Sequence, residues 1–233
     1  MEIKLELNTR SRLLKSAITV FGKFGYAGSS LRQIADLADV NHSSVKHHYQ
    51  NKDELWKAAV SYLYGLMENY VTKDEEMYSQ MEPRDVIIAM TKNYIRFAAK
   101  HPELARIRMF ETIHESERLD WMTRHYLKPL TDRAIAGIEE GQACGIYTNR
   151  ISATHLHHIN IAAVRTLFLE APELERTLGI DVFSDEYIEQ HISAVIEIML
   201  NDPDSDEASD ESNSKKFSST SQSSSHGFGK RLL

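Results

Sequence analysis

Residues 29–56 read SSLRQIADLADVNHSSVKHHYQNKDELW, and this stretch indicates the fold of the chain. Ser29 or Ser30 is placed to cap a short helix, because a serine hydroxyl can accept a hydrogen bond from an unpaired backbone N–H group. The apolar residues that follow recur at helical spacing and are Leu31, Ile34, Ala35 and Ala38. Asn41 is placed to cap a second short helix over His42–Tyr49. The stretch therefore predicts two short helices joined by a tight turn.

The second of these helices is mostly polar, and Val45 is its one clear aliphatic core residue. A third helix follows directly, with Asn51 as its cap and with Asp53 and Glu54 in the first turn, where acidic residues suit the helix dipole. A helix-turn-helix needs such a polar second helix, since that helix offers donors and acceptors to base edges in the major groove. An ordinary helical hairpin with solvated outer faces would show the same pattern.

Residues 12–56 resemble the DNA-binding region of the TetR family of transcriptional regulators. The matching pieces, in family order, are Leu13-Leu14, Ala17, Phe21, Phe24-Gly25-Tyr26, Ser30-Leu31, Ile34-Ala35, Ala38, Val40, His48-Tyr49, Asn51-Lys52-Asp53 and Leu55. The resemblance implies a homodimer whose larger C-terminal domain binds a small molecule and thereby controls operator binding.

The stretch departs from the family pattern at three positions. Asp39 occupies the turn where the family most often has glycine, a position that usually requires a left-handed backbone, which Asp tolerates better than most residues. Lys46 stands where the family usually has a phosphate-contacting tyrosine, and Tyr49 replaces the usual phenylalanine. These departures concern the details of DNA contact and leave the expected fold unchanged.

The charge of the chain is unevenly distributed. The formal net charge is −7, but residues 1–57 carry nine Lys or Arg against six Asp or Glu, which leaves −10 for residues 58–233. A basic N-terminal part on an acidic body suits a chain that meets phosphate at one end only. Chance asymmetry of the charges is the alternative.

Several classes of protein are excluded or made less favourable by the composition. The single cysteine, Cys144, excludes an intrachain disulfide and disfavours a cysteine-based zinc site. Residues 1–7 lack the apolar segment of a signal peptide, and no apolar run approaches the roughly 18–20 residues that span a bilayer. The dinucleotide glycine fingerprint, the His-Glu-x-x-His motif and the nucleophile elbow are missing, so we expect no enzyme and no cofactor. We expect a cytoplasmic, bacterial-type protein associated with the nucleoid.

Almost no alternating hydrophobic pattern is present, so the fold class is predicted to be all-α. We expect a three-helix DNA-binding domain over residues 8–57, a helical effector-binding and dimerisation domain over residues 58–201, and a disordered tail over residues 202–233. Phe24 and Tyr26 are expected to fill the small core of the first domain. A long helix from Lys52 to about Asp74 is expected to connect the two domains and to act as a lever.

The second domain is predicted to contain helices over residues 84–100 and 102–115. Ser116 is expected to start one long helix to about residue 143, and Ser152 or Thr154 another that is apolar on most sides. Residues 172–178 are expected to be a short connector. Ser184 is placed to cap the last helix.

Candidate DNA-contacting residues follow from the helix-turn-helix interpretation. Ser43, Ser44, Lys46 and His47 are candidates for base or groove contacts, because hydroxyl and ammonium groups read acceptors in the major groove. His42, with the other histidines of this helix, could make binding pH-dependent. The candidates for phosphate contacts are Ser30, Arg32, Gln33, Tyr49 and Lys52. Simple capping, solvation or packing is the alternative for each.

An aromatic cavity with few polar groups is the usual composition of a ligand site. The residues that would form one here are Met90, Tyr94, Phe97, Phe110, His114, Trp121, His125 and Asn160. Most of them could equally be core residues. His155, His157 and His158 suggest a metal site, but histidines packed in a core or pocket are the favoured interpretation, and no metal is expected.

The two C-terminal helices can supply both a core and an interface. In the TetR family such a pair forms a four-helix bundle with its copy from the partner subunit. The expected interface residues are Leu156, Ala163, Leu167, Ile192, Val195, Ile196 and Met199.

The sequence as a whole predicts a ligand-responsive, homodimeric regulator, a repressor of a palindromic operator in double-stranded DNA, with a small-molecule effector and no membrane partner. The alternatives are a DNA-binding dimer without a small-molecule switch, and a helical small-molecule-binding protein whose DNA-binding head is vestigial.

Overall fold

The computed structural model describes residues 8–72 and 75–202, and within these ranges the chain is helical with no strand. The all-α prediction is confirmed. The α-helices are α1 (Thr9–Phe24), α2 (Leu31–Leu37), α3 (His42–Tyr49), α4 (Lys52–Thr72), α5 (Glu75–Tyr78), α6 (Pro83–Lys100), α7 (Pro102–His114), α8 (Glu117–Met122), α9 (Lys128–Ala143), α10 (Ala153–Leu169), α11 (Ala171–Leu178) and α12 (Asp185–Met199). A π-helical turn, Thr123–Leu127, separates α8 from α9.

Backbone contacts divide the described residues into two compact units. The first unit holds residues 8–69 and 97–126, and the second holds residues 70–72, 75–96 and 127–202. The first unit is therefore larger than the DNA-binding domain predicted over residues 8–57, because α7 and α8 pack with α1–α4. The predicted tail lies outside the described residues apart from Asp202.

The N-terminal helices begin where the capping residues of the sequence place them. The side chains of Asn8, Ser30 and Asn41 each accept a hydrogen bond from a backbone N–H group in the first turn of α1, α2 and α3. Asn51 does the same for α4, where its Oδ1 accepts from the Glu54 N–H at 2.9 Å. The turn after α2 has the expected left-handed residue, since Asp39 has a φ of 50°.

The core of the first unit differs from the prediction at one of two aromatic residues, Phe24. Phe24 is exposed, whereas Tyr26 is half-buried and stacks on the fully buried Phe21 with ring centroids 6.1 Å apart. Gly25 lies between them with φ 66° and ψ 178°, and a Cβ atom there would lie 2.9 Å from Cγ of Phe110 in α7. Phe110 therefore covers this corner of the unit, and Phe24 is turned out to solvent.

Two expectations for the C-terminal half are corrected. The single helix expected from Ser116 to about residue 143 is interrupted by the π-helical turn Thr123–Leu127, although Ser116 does cap its first part. Residues 172–178, expected to be a connector, belong to helix α11, which ends at Gly179 with a φ of 68°. Ser152 and Ser184 cap α10 and α12 as their positions predict. In the described part of the chain, no helix is long and apolar enough to cross a membrane.

Candidate nucleic-acid interface

Helix α3 presents a polar face over a buried one. Val45 and Tyr49 are buried, and Ser44 is half-buried beside them. The exposed residues of the helix are His42, Ser43, Lys46 and His47. Three of the four predicted base or groove residues, Ser43, Lys46 and His47, are thus accessible on one short helix, and the fourth, Ser44, is half-buried.

The start of α2 carries three further exposed candidates. The Ser30 side chain caps the helix by accepting from the Gln33 N–H at 3.2 Å, and its hydroxyl donates to Gln33 Oε1 at 3.0 Å. Arg32 lies 3.9 Å from Asp36 in an ion pair of two largely exposed side chains. Such a pair is weak, so Arg32 stays available to a phosphate.

Arg12 of α1 braces the turn between α2 and α3. Its Nε donates to the Ala38 carbonyl at 3.0 Å, and its guanidinium also donates to the backbone and carboxylate oxygens of Asp39. These bonds satisfy carbonyl groups at the end of α2 that have no partner within the helix. Arg12 was not among the predicted site residues, and the acidic Asp39 in the turn was the one signal for this contact.

The predicted phosphate contacts of Tyr49 and Lys52 are not supported by their positions. Tyr49 is 5 % exposed, and its hydroxyl donates to the Arg10 carbonyl at 3.0 Å. Burial raises the pKa of this hydroxyl above its ordinary value. The Lys52 side chain is held within the unit as well, because its Nζ donates to the carbonyl oxygens of Tyr26 and Ser29 at 2.5 and 2.6 Å. Burial, with Arg118 as a second cause, lowers the pKa of the Lys52 amine.

A second set of contacts joins the loop before α2 to α7 and α8. The guanidinium carbon of Arg118 lies 3.6 Å from the centroid of the Tyr26 ring, and Lys52 Nζ lies 4.2 Å from the same centroid. Arg118 Nε also donates to the buried carboxylate of Glu111 at 3.1 Å. Tyr26, Glu111 and Arg118 were absent from the predicted sites, since Tyr26 is far from Glu111 and Arg118 in the sequence.

The predicted effector-pocket residues are distributed over both units. Met90, Tyr94 and Asn160 belong to the second unit, and the other five, Phe97, Phe110, His114, Trp121 and His125, belong to the first. Phe97 is buried and Phe110 packs against Gly25, so these two rings are packing residues. His114 is exposed, with its Nδ1 2.6 Å from the Phe110 carbonyl.

The remaining pocket candidates keep features of a ligand site. In the first unit, the half-buried Trp121 ring stacks with the exposed His125 at 4.8 Å and meets Trp56 edge-on at 5.8 Å. In the second unit, the Asn160 Oδ1 atom is buried and accepts no hydrogen bond from the residues that the structure describes. A buried acceptor of this kind is the polar group that a ligand or an ordered water would satisfy.

The predicted dimer residues lie mostly inside the second unit. Leu156, Ile192, Val195 and Met199 are buried within one chain, which corrects their assignment to an interface. Ala163, Leu167 and Ile196 are half-buried. The apolar side chains that α10 and α12 leave exposed are instead Ile159, Ala162, Ala194 and Ile198.

Helices α10 and α12 pair in an antiparallel manner. Phe168 near the end of α10 lies 5.8 Å from Phe183, which precedes α12, and His191 Nε2 lies 2.9 Å from the Ala163 carbonyl. This arrangement places Ile159 and Ile198 at the same end of the pair. We call the exposed residues Ile159, Ala162, Ala194 and Ile198 the outer face.

The histidines at the start of α10 do not converge. His155 Nδ1 lies 2.8 Å from the Ser152 hydroxyl, His157 is buried, and His158 is exposed. Over residues 8–72 and 75–202, no group of three or more His, Cys, Asp or Glu side chains could hold a metal ion.

Comparison with known proteins adds two family matches. Residues 13–59 match the family model described as bacterial regulatory proteins, tetR family. Residues 83–199, half of the chain, match the model described as tetracyclin repressor-like, C-terminal domain.

Curated relatives include the HTH-type transcriptional repressor NicS of Pseudomonas putida, which is 27% identical over 155 residues that cover 64% of this chain and 70% of NicS. The HTH-type transcriptional regulator RutR of Escherichia coli is 23% identical over 195 residues, 82% of this chain and 88% of RutR.

Solved structures share the fold. The structure of AibR in complex with isovaleryl coenzyme A and operator DNA matches with a TM-score of 0.66 at 17% identity, over 82% of this chain and 98% of AibR. The ketosteroid transcriptional regulator KstR2 of Mycobacterium tuberculosis matches with a TM-score of 0.60 at 15% identity, over 84% of this chain and 96% of KstR2.

Proposed function

The chain belongs to the tetR family of bacterial regulatory proteins, and from this premise we propose that it binds a palindromic operator as a homodimer and represses transcription until a small molecule lowers its affinity for DNA. The observation that carries the proposal is the exposed polar face of α3, with Ser43, Lys46 and His47 accessible above the buried Val45. A helix with this division of faces can enter a major groove while its apolar side packs on the rest of the unit.

A palindrome follows from two-fold symmetry. Two copies of α3 related by a two-fold axis would read half-sites in successive major grooves, about 34–36 Å or a multiple apart. We propose that the outer face forms the dimer contact, because it leaves apolar side chains on the surface of α10 and α12. Paired with its copy, this face would give the four-helix bundle that the family resemblance implies.

An effector would act by binding the two states of the dimer unequally. Its effect on operator affinity equals its differential binding to the DNA-competent and DNA-incompetent states. The buried Asn160 Oδ1 of the second unit is the group that we assign to effector binding. AibR, a structural neighbour, is in complex with both an acyl coenzyme A and operator DNA, which supports the combination of the two ligand classes.

The proposal is tested by titrating labelled DNA with the full chain and following fluorescence anisotropy. The DNA from upstream of its own gene is compared with a scrambled duplex at two salt concentrations. We expect binding that prefers the upstream DNA and that keeps this preference at the higher salt. Weak, equal binding to both duplexes at both salt concentrations would contradict the proposed function.

Lys46→Ala and Lys52→Ala are expected to have different effects, although both remove a lysine near the same helix. Lys46 is exposed on α3, so its loss should reduce the preference for the upstream DNA by about tenfold, the lower end of what one base contact contributes. Lys52 is bonded to two carbonyls, so its loss should lower stability and leave the salt dependence of binding unchanged. Anisotropy at three salt concentrations and thermal unfolding measure the two effects. If the slope of log affinity against log salt concentration falls by about one in Lys52→Ala, Lys52 contacts a phosphate after all.

A further inference from the structure

Two cations that come from different parts of the first unit lie close to the Tyr26 ring. Lys52 belongs to the start of α4, and Arg118 belongs to α8. Their charged groups lie 4.2 and 3.6 Å from the ring centroid, within the range in which a cation is attracted to an aromatic ring. Arg118 also lies 5.9 Å from the Trp56 ring.

The position of Arg118 is fixed by a buried acid. Glu111 is 2 % exposed, and its Oε2 accepts hydrogen bonds from Arg118 Nε and from the Ser116 hydroxyl. A buried carboxylate needs such a partner, because an unpaired charge inside a protein is strongly unfavourable. Arg118 is therefore held in place independently of Tyr26, and it can act as a fixed support for the ring.

The ring in turn belongs to the loop that starts the helix-turn-helix. Lys52 Nζ donates hydrogen bonds to two backbone carbonyls of the same loop, those of Tyr26 and Ser29. The next residue, Ser30, caps α2. Lys52 of α4 thus holds the backbone of the loop, and Arg118 of α8 holds the Tyr26 side chain. The position of this loop determines where α2 begins.

We infer that Arg118 is a positioning residue for DNA binding, which acts through Tyr26 on the loop before α2 and so on the orientation of α3, the reading helix. The inference rests on the proposed DNA-binding function and extends it to a residue outside the helix-turn-helix. Arg118 itself is not expected to contact DNA. Its loss changes how often the reading helix has the competent orientation, which lowers the apparent affinity by that fraction.

The test compares matched variants of the full chain on the upstream DNA. Arg118→Met and Tyr26→Leu remove the two sides of the contact, whereas Tyr26→Phe keeps the ring. Arg96→Met is the control, because it breaks the 2.7 Å ion pair between Arg96 and Glu189 in the second unit. Anisotropy gives the affinity and its salt dependence, and hydrogen exchange gives the protection of residues 26–38.

We expect Arg118→Met and Tyr26→Leu to weaken binding by about tenfold, the change that corresponds to 1.4 kcal/mol. The salt dependence should not change, because no phosphate contact is lost. Hydrogen exchange should become faster in residues 26–38. The double variant should bind DNA about as tightly as the single variant with the lower affinity, as expected for two residues of one contact. Tyr26→Phe and Arg96→Met should bind like the wild type.

Wild-type affinity in Arg118→Met, or losses that multiply in the double variant, would overturn the inference alone. A wild-type chain without preference for the upstream DNA would overturn the proposed function as well. If Arg118→Met fails to fold because Glu111 is left unpaired, the Tyr26→Leu and Tyr26→Phe pair and the combined Glu111→Gln, Arg118→Met variant decide the question. Equal affinities of Tyr26→Leu and Tyr26→Phe would then overturn it.

Discussion

Replacing Ile198 with glutamate is expected to leave each chain folded, to separate the dimer, and to abolish tight operator binding. Ile198 is 78 % exposed on α12, so a single chain has room for the carboxylate. In a two-fold dimer built on the outer face, the substitution would bury two unpaired charges in the contact, one from each chain. A cost of about 4 kcal/mol for the pair corresponds to about a thousandfold weaker dimerisation. Sedimentation velocity and the anisotropy assay measure the two consequences.

Leu178→Glu provides the matched control for this variant. Leu178 is also a large exposed apolar residue of the second unit, but it lies at the end of α11 and outside the outer face. The Leu178→Glu substitution should leave both the dimer and operator binding unchanged. A dimeric Ile198→Glu protein, or a monomeric Leu178→Glu protein, would show that the dimer contact lies elsewhere.

Gly25→Ala is expected to destabilise the first unit by about 3 kcal/mol, because strain and overpacking act at the same position. The backbone of Gly25 has φ 66° and ψ 178°, a conformation that residues with a Cβ atom rarely adopt. The added methyl group would also lie 2.9 and 3.0 Å from two ring carbons of Phe110. Calorimetric or spectroscopic thermal unfolding measures the loss as a lower transition temperature.

The control, Gly65→Ala, should raise the stability of the first unit rather than lower it. Gly65 lies inside α4, and a Cβ atom there would meet nothing within 4 Å. Alanine at such a position stabilises a helix by up to about 1 kcal/mol relative to glycine. An unchanged transition temperature in Gly25→Ala would mean that Phe110 and the loop rearrange without cost, contrary to the packing described here.

Local signals in the sequence predicted the helix starts correctly. The caps at Ser30, Asn41, Asn51 and Ser184 depend on a side chain and a backbone group within three residues, so they can be recognised without tertiary structure. The exposed face of α3 could be predicted for the same reason, since its polar residues follow helical spacing around Val45.

Contacts between distant residues could not be predicted in this way. Tyr49 and Lys52 are polar residues next to a reading helix, and only their partners Arg10, Tyr26 and Ser29 show that they face inward. Helices α10 and α12 are apolar on several sides, so the sequence does not distinguish the side that packs within the chain from the side left exposed. The assignment of Val195 to an interface, and the omission of Ile198, follow from that ambiguity.

The meeting of Trp56 and Trp121 has an optical consequence. They are the only tryptophans in the chain, and their rings lie 5.8 Å apart at an interplanar angle of 65°. The tryptophan emission of the chain therefore comes from one place, where Trp56 of α4 meets Trp121 of α8. A small displacement of α8, which carries Arg118, changes the intrinsic fluorescence and near-ultraviolet circular dichroism of the unlabelled protein. The chain thus carries its own spectroscopic reporter of the contact between Arg118 and the loop before α2.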